Sequence, residues 1–484
     1  MGPIAENILA FFKKNNQEAV ITFDKLPRSG GDRIYFRIRT EKKSYIATYD
    51  ENVRESKTFL YFTGHFSNIN SPVPEIYFCS EDHKMYVQQD FGPVSLLNEL
   101  EKHGSNDYVY SLFQKSLKAL AWMQIKGFDN LDYSYCLTSK KFGRQAILSD
   151  LLYFKYYFLD TLKIPYDKEK LVHDFEKLSS YLTKVEHKYF MFRDFQSRNI
   201  YIENNEVHFI DYQGGMKGAL QYDVASLLWQ ARANLSDEWK DSLLGYYMDC
   251  VSEILGKEID RPRFINQYNG YVLIRLMQVL GAYGFRGLFE RKAQFLTSIP
   301  LALSNLKEFF QKNSLGISVP EFRKVLDLCV SDEVIEQFTP VQATTDTPLI
   351  VRINSFSYKK GIPEDVSGNG GGFVFDCRGI LNPGRIEKFK TQTGRDKEVK
   401  DYLEQQTKMT DFLNSAFDIV DITVEDYIQR EFSNLMISFG CTGGQHRSVY
   451  AADALARHLR NKFKVKVDVR HLIQDEKNWV NTPM

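Results

Sequence analysis

The spacing of hydrophobic and polar positions changes three times along the chain. Residues 1–94 mix a helical pattern with short alternating runs. Met1-Gly-Pro-Ile-Ala-Glu-Asn-Ile-Leu-Ala-Phe-Phe-Lys-Lys14 reads as an amphipathic helix, Ile34-Tyr-Phe-Arg-Ile-Arg39 alternates as a strand does, and residues 44–49 predict a second strand. Residues 54–65 read as a helix with Glu55 near its start, and Tyr86-Val-Gln-Gln-Asp-Phe-Gly92 as a strand ending in a turn. From 95 to 337 helical spacing dominates, including 109–125, the aromatic-rich 148–162, 264–287, 300–312 and 320–337. The aromatic run Tyr153 to Phe158 is read as core and packing rather than as a platform for stacked bases. The polar, proline-flanked 338–348 predicts a linker. Beyond it, strands alternate with helices: strands at 349–356, 373–376, 435–439 and 465–469, helices at 397–414 and 449–461.

Composition narrows the class without choosing a partner. The 484 residues exceed one core, 43% are hydrophobic and 26% charged, and Lys plus Arg equals Asp plus Glu at 62 each. Six scattered cysteines without C-x-x-C spacing argue against a disulfide framework and a zinc site. The N-terminus lacks the basic start and long apolar run of a signal peptide, and no apolar run approaches the ~20 residues of a membrane span, so a cytoplasmic protein without a membrane partner is expected.

Candidate chemistry concentrates in two places. Tyr189-Phe-Met-Phe-Arg-Asp-Phe-Gln-Ser-Arg-Asn199 carries D-x-x-x-x-N spacing, followed by two short strands (200–202 and 207–210) that deliver Asp211. Phosphoryl transfer needs a hydroxyl held in line and cations over the phosphate oxygens. In that chemistry Asp194 accepts the hydroxyl proton, and Asn199 and Asp211 hold Mg²⁺ against ATP. Ser29, Gly30 and Gly31 form a glycine turn that fits nucleotide phosphates or, equally, a plain hairpin; the phosphotransfer loop favours the first. Gln89 closes the strand where a hinge between lobes would bind adenine. Gly214-Gly-Met-Lys-Gly218 predicts a mobile loop beside the substrate, and Asp223 the N-cap of the next helix. The second place is Gly440-Cys-Thr-Gly-Gly-Gln-His-Arg-Ser448, a glycine loop between an apolar strand and a helix. Its free N–H groups, the helix dipole and Arg447 make an anion site, with Thr442, Gly443 and Gly444 in the loop. The C-x-x-x-x-x-R spacing of Cys441 and Arg447 also admits a cysteine phosphatase.

Residues 20 to about 312 resemble the aminoglycoside phosphotransferase family, within it the kinases of N-acetylmuramate and N-acetylglucosamine that act on the anomeric hydroxyl. Gly31-Asp-Arg-Ile-Tyr-Phe-Arg-Ile, Arg193-Asp-Phe-Gln-Ser-Arg-Asn, Ile210-Asp-Tyr-Gln, Tyr222-Asp-Val-Ala-Ser-Leu-Leu and Arg275-Leu-Met-Gln-Val-Leu-Gly-Ala-Tyr carry the likeness. The resemblance implies an α+β, two-lobed, protein-kinase-like fold (lobes 1–94 and 95–337), ATP, Mg²⁺ and a sugar acceptor giving a sugar 1-phosphate. Two positions depart from it. Phe192 stands where the family has a structural His, and no Lys occupies the strand 45–49, where Arg33 or Arg37 would supply the charge. Within a last domain read as 349–484, residues 348 to about 473 resemble the C-terminal domain of RapZ-type RNase adapters through Ser355-Phe-Ser-Tyr-Lys-Lys-Gly-Ile-Pro363, Phe375-Asp-Cys-Arg378 with Asn382-Pro383, Thr393-Gly-Arg-Asp396 and the 440–449 loop. That implies a separate α/β domain with a mainly parallel sheet. It also implies an amino-sugar phosphate bound where Asp376, Arg378, Cys441, Thr442, His446 and Arg447 gather, His446 making a phosphate contact. RNA is a further family partner, but the adapters' own P-loop domain is replaced here and the chain end lacks a basic tail. The readings carried forward are an ATP-dependent amino-sugar kinase with a sugar-phosphate-sensing domain, with a kinase of another hydroxyl (aminoglycoside-like or choline-like) and a non-enzymatic RNA- or partner-binding regulator as alternatives.

Overall fold

The structure, a computed structural model, describes residues 3–26, 33–185, 188–290, 293–296, 298–339, 341–368 and 371–477. They fall into two compact units, one within 1–285 and 301–331, the other within 286–300 and 332–484.

In the first unit, helix α1 (Pro3–Asn15) lies on a five-stranded antiparallel sheet of β1 (Val20–Lys25), β2 (Ile34–Thr40), β3 (Ser44–Tyr49), β4 (Ile76–Cys79) and β5 (Met85–Gln89), ordered β1-β2-β3-β5-β4. Ile8 and Phe12 of α1 meet Phe36, Ile38, Tyr45, Ala47 and Val87, the inward positions of the alternating strands. Helix α2 (Val53–Ser67) starts where the Asn52 side chain accepts the Glu55 N–H, and it buries Phe59, Phe62 and Phe66.

The larger half of this unit is helical: α3 (Leu96–His103), α4 (Asp107–Lys126), α5 (Arg144–Phe154) with a π turn at Lys155–Leu159, α6 (Lys168–Leu182), α7 (Leu220–Leu228), α8 (Asp237–Leu255) and α9 (Arg261–Tyr283), then helices Ile299–Lys312 and Pro320–Cys329. Of the aromatic run 153–158, Phe154 and Phe158 are fully buried as core residues, Tyr153 and Tyr157 are half-buried, and Tyr156 is exposed, so only part of the run packs as expected. Helix α9 with its extension to Phe289 is long and apolar enough to cross a membrane, but more than half of that stretch is buried inside the fold, as in a core helix. Between α6 and α7 lie β6 (Lys188–Met191), the hairpin β7 (Ile200–Glu203) and β8 (Glu206–Phe209), and β9 (Met216–Ala219).

Two expectations fail here. The glycine segment 214–218 is not a loose loop, because its second half is β9, paired antiparallel with β6. Gly218 faces Tyr189 so closely that a Cβ would lie 2.6 Å from the Met191 sulfur, so the glycine serves strand approach. Asp223 does not cap α7; Ala219 occupies that position, and Asp223 lies buried inside the helix.

The second unit holds a wholly parallel four-stranded sheet of β10 (Ile350–Ser357), β11 (Phe373–Asp376), β12 (Asn434–Cys441) and β13 (Lys466–His471), ordered β11-β12-β10-β13. The chain leaves β10 toward one edge and later crosses to the other, so the strand order reverses beside β10 and β12. In open α/β sheets, ligands bind at the carboxyl ends of such strands. Leu349, Val351, Ile353, Ile437 and Phe439 pack with Leu455, Leu459 and Phe463 of helix Arg447–Phe463. The single helix expected over 397–414 is two, Lys397–Gln406 and Met409–Gln429. Thr407 leaves the helix in an extended conformation, and its hydroxyl accepts the Met409 N–H, ending one helix and opening the next.

Candidate active site and anion loop

The catalytic loop follows β6 and is fastened from below. The Asp223 carboxylate accepts the backbone N–H groups of Phe192 (2.7 Å) and Arg193 (3.0 Å) and the Gln124 amide (2.8 Å). Burial pushes its pKa up to about 7, against the downward pull of those bonds. Phe192, in the place of the family's structural His, is fully buried and meets the rings of Phe195, Phe209 and Tyr212 edge-on. Arg193 takes φ +80°; its Nη2 donates to both Asp150 oxygens at 2.9 Å, its Nη1 to the Tyr222 hydroxyl, and its guanidinium lies over the Phe142 ring. At the far end of the loop, the Ser197 N–H and hydroxyl both donate to Gln230 Oε1. Between these anchors the Asp194 side chain is 41% exposed, with Arg275 Nη2 3.9 Å away.

Asn199 ties that loop to Asp211. Its Nδ2 donates to the Asp194 carbonyl at 2.9 Å and to Asp211 Oδ2 at 3.2 Å. Asp211 itself sits at φ +69°, just past β8. Its Oδ1 accepts from Gln213 Nε2 (2.8 Å) and from Arg33 Nη2 (3.2 Å); the same two groups also reach Glu55 Oε1, at 3.3 and 3.2 Å. Arg33 of the small lobe thus joins Glu55 of α2 to Asp211 of the large lobe. Gln213 Oε1 is buried with no hydrogen-bond partner. A carboxylate and two side-chain amides, one of them with its oxygen orphaned, fit a hard, oxygen-seeking divalent cation. Among the described residues no cluster of three or more His, Cys, Asp or Glu side chains offers a rival metal site.

The other expected nucleotide residues fare differently. Arg37 is committed elsewhere: Nε and Nη2 form a fork to Asp90 at 2.6 and 2.9 Å, and Nη2 also donates to the Gly92 carbonyl. A guanidinium locked in a bidentate pair beyond β5 is not a spare phosphate ligand, which corrects the expectation for that residue. Gln89 ends β5 with its N–H given to the Glu75 carbonyl and its side-chain oxygen accepting the Glu75 N–H. Ser29, Gly30 and Gly31 lie outside the described residues.

In the second unit, Cys441 ends β12 and its sulfur lies within 3.2 Å of both the Gly444 N–H, which it accepts, and the Ser448 hydroxyl. Burial raises the thiol pKa, but these hydrogen bonds and Arg447 outweigh it and hold the thiol below its ordinary value. The residue is buried, and its sulfur serves the loop as an acceptor. Gly444 has φ +67°, and a Cβ there would lie 2.5 Å from the Ile473 side chain, so the turn requires glycine. Buried Arg447 donates to the carbonyls of Arg378 (3.1 Å) and Ile380 (2.7 Å) and to the Thr442 hydroxyl (3.4 Å), while its Nε has no partner. An orphaned buried cationic donor beside a helix N-terminus suits an anion. Asp376 and Arg378, at the end of β11, form a fork with contacts of 2.7–2.9 Å, and the guanidinium lies 3.8 Å from the Tyr358 ring centre. His446 is corrected: its ring is buried, Nε2 is hydrogen-bonded to the Phe389 carbonyl at 2.8 Å, and burial lowers its pKa. A neutral ring with that nitrogen tied to the backbone supports the loop rather than offering phosphate a charge.

Sequence reasoning passed over Glu55, Asp150, Gln124 and Gln213 as site residues. Gln213 was within reach, two positions past Asp211; the others sit on helical faces that only packing brings to the loop.

Comparison with known proteins bears on both units. Residues 25–254 match the phosphotransferase enzyme family and residues 349–473 the RapZ C-terminal domain. A nucleotide-binding protein of Endomicrobium trichonymphae is 33% identical over 195 residues, 36% of this chain and 66% of that one; one of Fervidobacterium nodosum is 29% identical over 246 residues, 46% of this chain and 84% of that one. The chain spans only 38% to 47% of the length of six further relatives. Among solved structures, the choline kinase of Streptococcus pneumoniae overlaps 64% of this chain and 98% of its own at 12% identity, with a TM-score of 0.42.

Proposed function

The chain joins a kinase-like domain of the phosphotransferase enzyme family to a RapZ C-terminal domain, and from that premise we propose an ATP-dependent amino-sugar kinase coupled to a sugar-phosphate sensor. The acceptor is the anomeric hydroxyl of N-acetylmuramate or N-acetylglucosamine, and the product is the sugar 1-phosphate. The observation that carries this reading is the single Asn199 amide joined to both the Asp194 backbone and the Asp211 carboxylate, which brings the expected base and the expected metal ligands to one place.

Asp194, exposed on a loop fixed at both ends, accepts the proton of the anomeric hydroxyl as its oxygen bonds to the γ-phosphorus and the bond to the β-phosphate oxygen breaks. Asp211 and Asn199 would hold Mg²⁺, with the orphaned Gln213 oxygen beside them; bound there, the ion neutralises charge on the nucleotide phosphates. Arg33 takes the place of the absent strand lysine, oriented by Glu55. In the second unit, the 442–444 loop and Arg447 Nε bind the sugar's phosphate.

The test is ADP release with Mg²⁺, ATP and a panel of acceptors, with ³¹P NMR of the product. Release with either amino sugar and an anomeric phosphate signal are expected, and Asp194→Asn should abolish both while the unfolding temperature holds. Turnover confined to choline or aminoglycosides would replace the acceptor, and full turnover by Asp194→Asn would remove its role as base.

A further inference from the structure

Arg275 lies in the middle of α9, with its side chain only 4% exposed. Nη1 donates to Gln278 Oε1, one turn along the same helix. Nη2 stands 3.9 Å from Asp194 Oδ1, beyond the ~3.2 Å of a hydrogen bond. Among the described residues, then, a buried guanidinium with one N–H given to Gln278 stands in ion-pair range of the expected base but beyond hydrogen-bond distance. Asp223, a second carboxylate nearby, already accepts three hydrogen bonds, and the same cation favours its charged form without hydrogen-bonding to it. Burying an arginine at such a point is costly unless its donors are used.

We infer that Arg275 is a specificity-determining residue that donates to the acceptor's ring oxygen while Asp194 takes the proton of the hydroxyl on the same carbon. A reducing sugar is a hemiacetal, whose anomeric carbon bears one oxygen that donates and one that only accepts. A base and a cation set about 4 Å apart match that pair of atoms. A simple alcohol, such as the hydroxyl of choline, has no second oxygen for the guanidinium. The assignment rests on the kinase reading above and sharpens it from a hydroxyl acceptor to a hemiacetal.

The experiment is a substrate–variant cycle on the full chain. It measures kcat/KM for N-acetylglucosamine and for its carba analogue, in which a CH₂ replaces the ring oxygen, with wild type and with Arg275→Met. The intrinsic difference between the two hydroxyls is common to both enzymes and cancels, which leaves the coupling between Arg275 and the ring oxygen. Wild type should prefer the sugar by about 10–100-fold more than Arg275→Met does, the scale of one hydrogen bond to a charged group. The KM for ATP should be unchanged, which reports an intact fold. Should Arg275→Met not fold, Arg275→Lys provides the same cycle with the charge kept and the fork lost, and a coupling of at least about 5-fold is expected. Losses that multiply independently would mean Arg275 acts only through Asp194 or the fold, and the assignment is overturned. A wild type releasing ADP with no amino sugar defeats the kinase reading, and this assignment falls with it. An active wild type without coupling defeats this assignment alone.

Discussion

Asp223 shows how much one buried carboxylate does away from the reacting atoms: it fixes two successive N–H groups of the catalytic loop. Asp223→Asn points an amide N–H₂ at one of those donors. We expect a loss of about 2–3 kcal/mol, read by urea unfolding, together with a fall in kcat. The sign of the pH effect follows from its pKa of about 7 in the fold against an ordinary 3.8. The folded state binds the proton more tightly, so this group's contribution to stability falls as pH rises from about 4 to about 7 and is level above that. The difference in unfolding midpoint between wild type and Asp223→Asn should therefore shift against wild type as pH rises across that range. The two arginines of β2 and its entry separate cleanly as well. Arg33→Met should weaken nucleotide binding about 10–100-fold in a calorimetric titration. Arg37→Met should leave it nearly unchanged but cost about 3 kcal/mol of stability, because buried Asp90 loses its cation and keeps only the Ser44 hydroxyl and the Gly92 N–H.

Elements follow the same logic of shape against propensity. The segment 214–219 carries three glycines, which in sequence read as looseness, yet its second half is a strand because β6 presents the bulky Phe190 and Met191 to it. Gly218→Ala should therefore destabilise by about 1–3 kcal/mol through overpacking, seen as a lowered unfolding temperature, whereas a mobile loop would tolerate it. At α2 the Asn52 cap fixes where the helix carrying Glu55 begins. Asn52→Ala should cost about 1 kcal/mol and loosen the Arg33–Glu55 pair.

At the scale of the whole molecule, two units of different architecture each carry, on the proposed reading, one loop for a charged ligand at the end of a strand. Each loop keeps a buried polar atom without a partner, Gln213 Oε1 in one and Arg447 Nε in the other. Other such atoms occur among the described residues, Thr48 Oγ1 and Ser226 Oγ for example, but these two lie where a charged ligand is expected. On the proposed reading, Arg447→Met should abolish calorimetrically detected binding of an amino-sugar phosphate to the full chain while ADP release by the first unit continues.

The sequence by itself determined most strands and helices, because their hydrophobic periods are local, and it determined the Asp194, Asn199 and Asp211 triplet, because a loop and a hairpin hold those residues at short range. It also marked the 440–448 turn, where glycine, a strand and a helix N-terminus adjoin in the chain. Only the tertiary structure decided which arginine meets Glu55 and Asp211, that His446 supports its loop from inside, and that Asp223 and Arg275 converge on the catalytic loop from separate helices. Those choices depend on which side chains are left facing one another once the cores close, and separation along the chain carries no record of that.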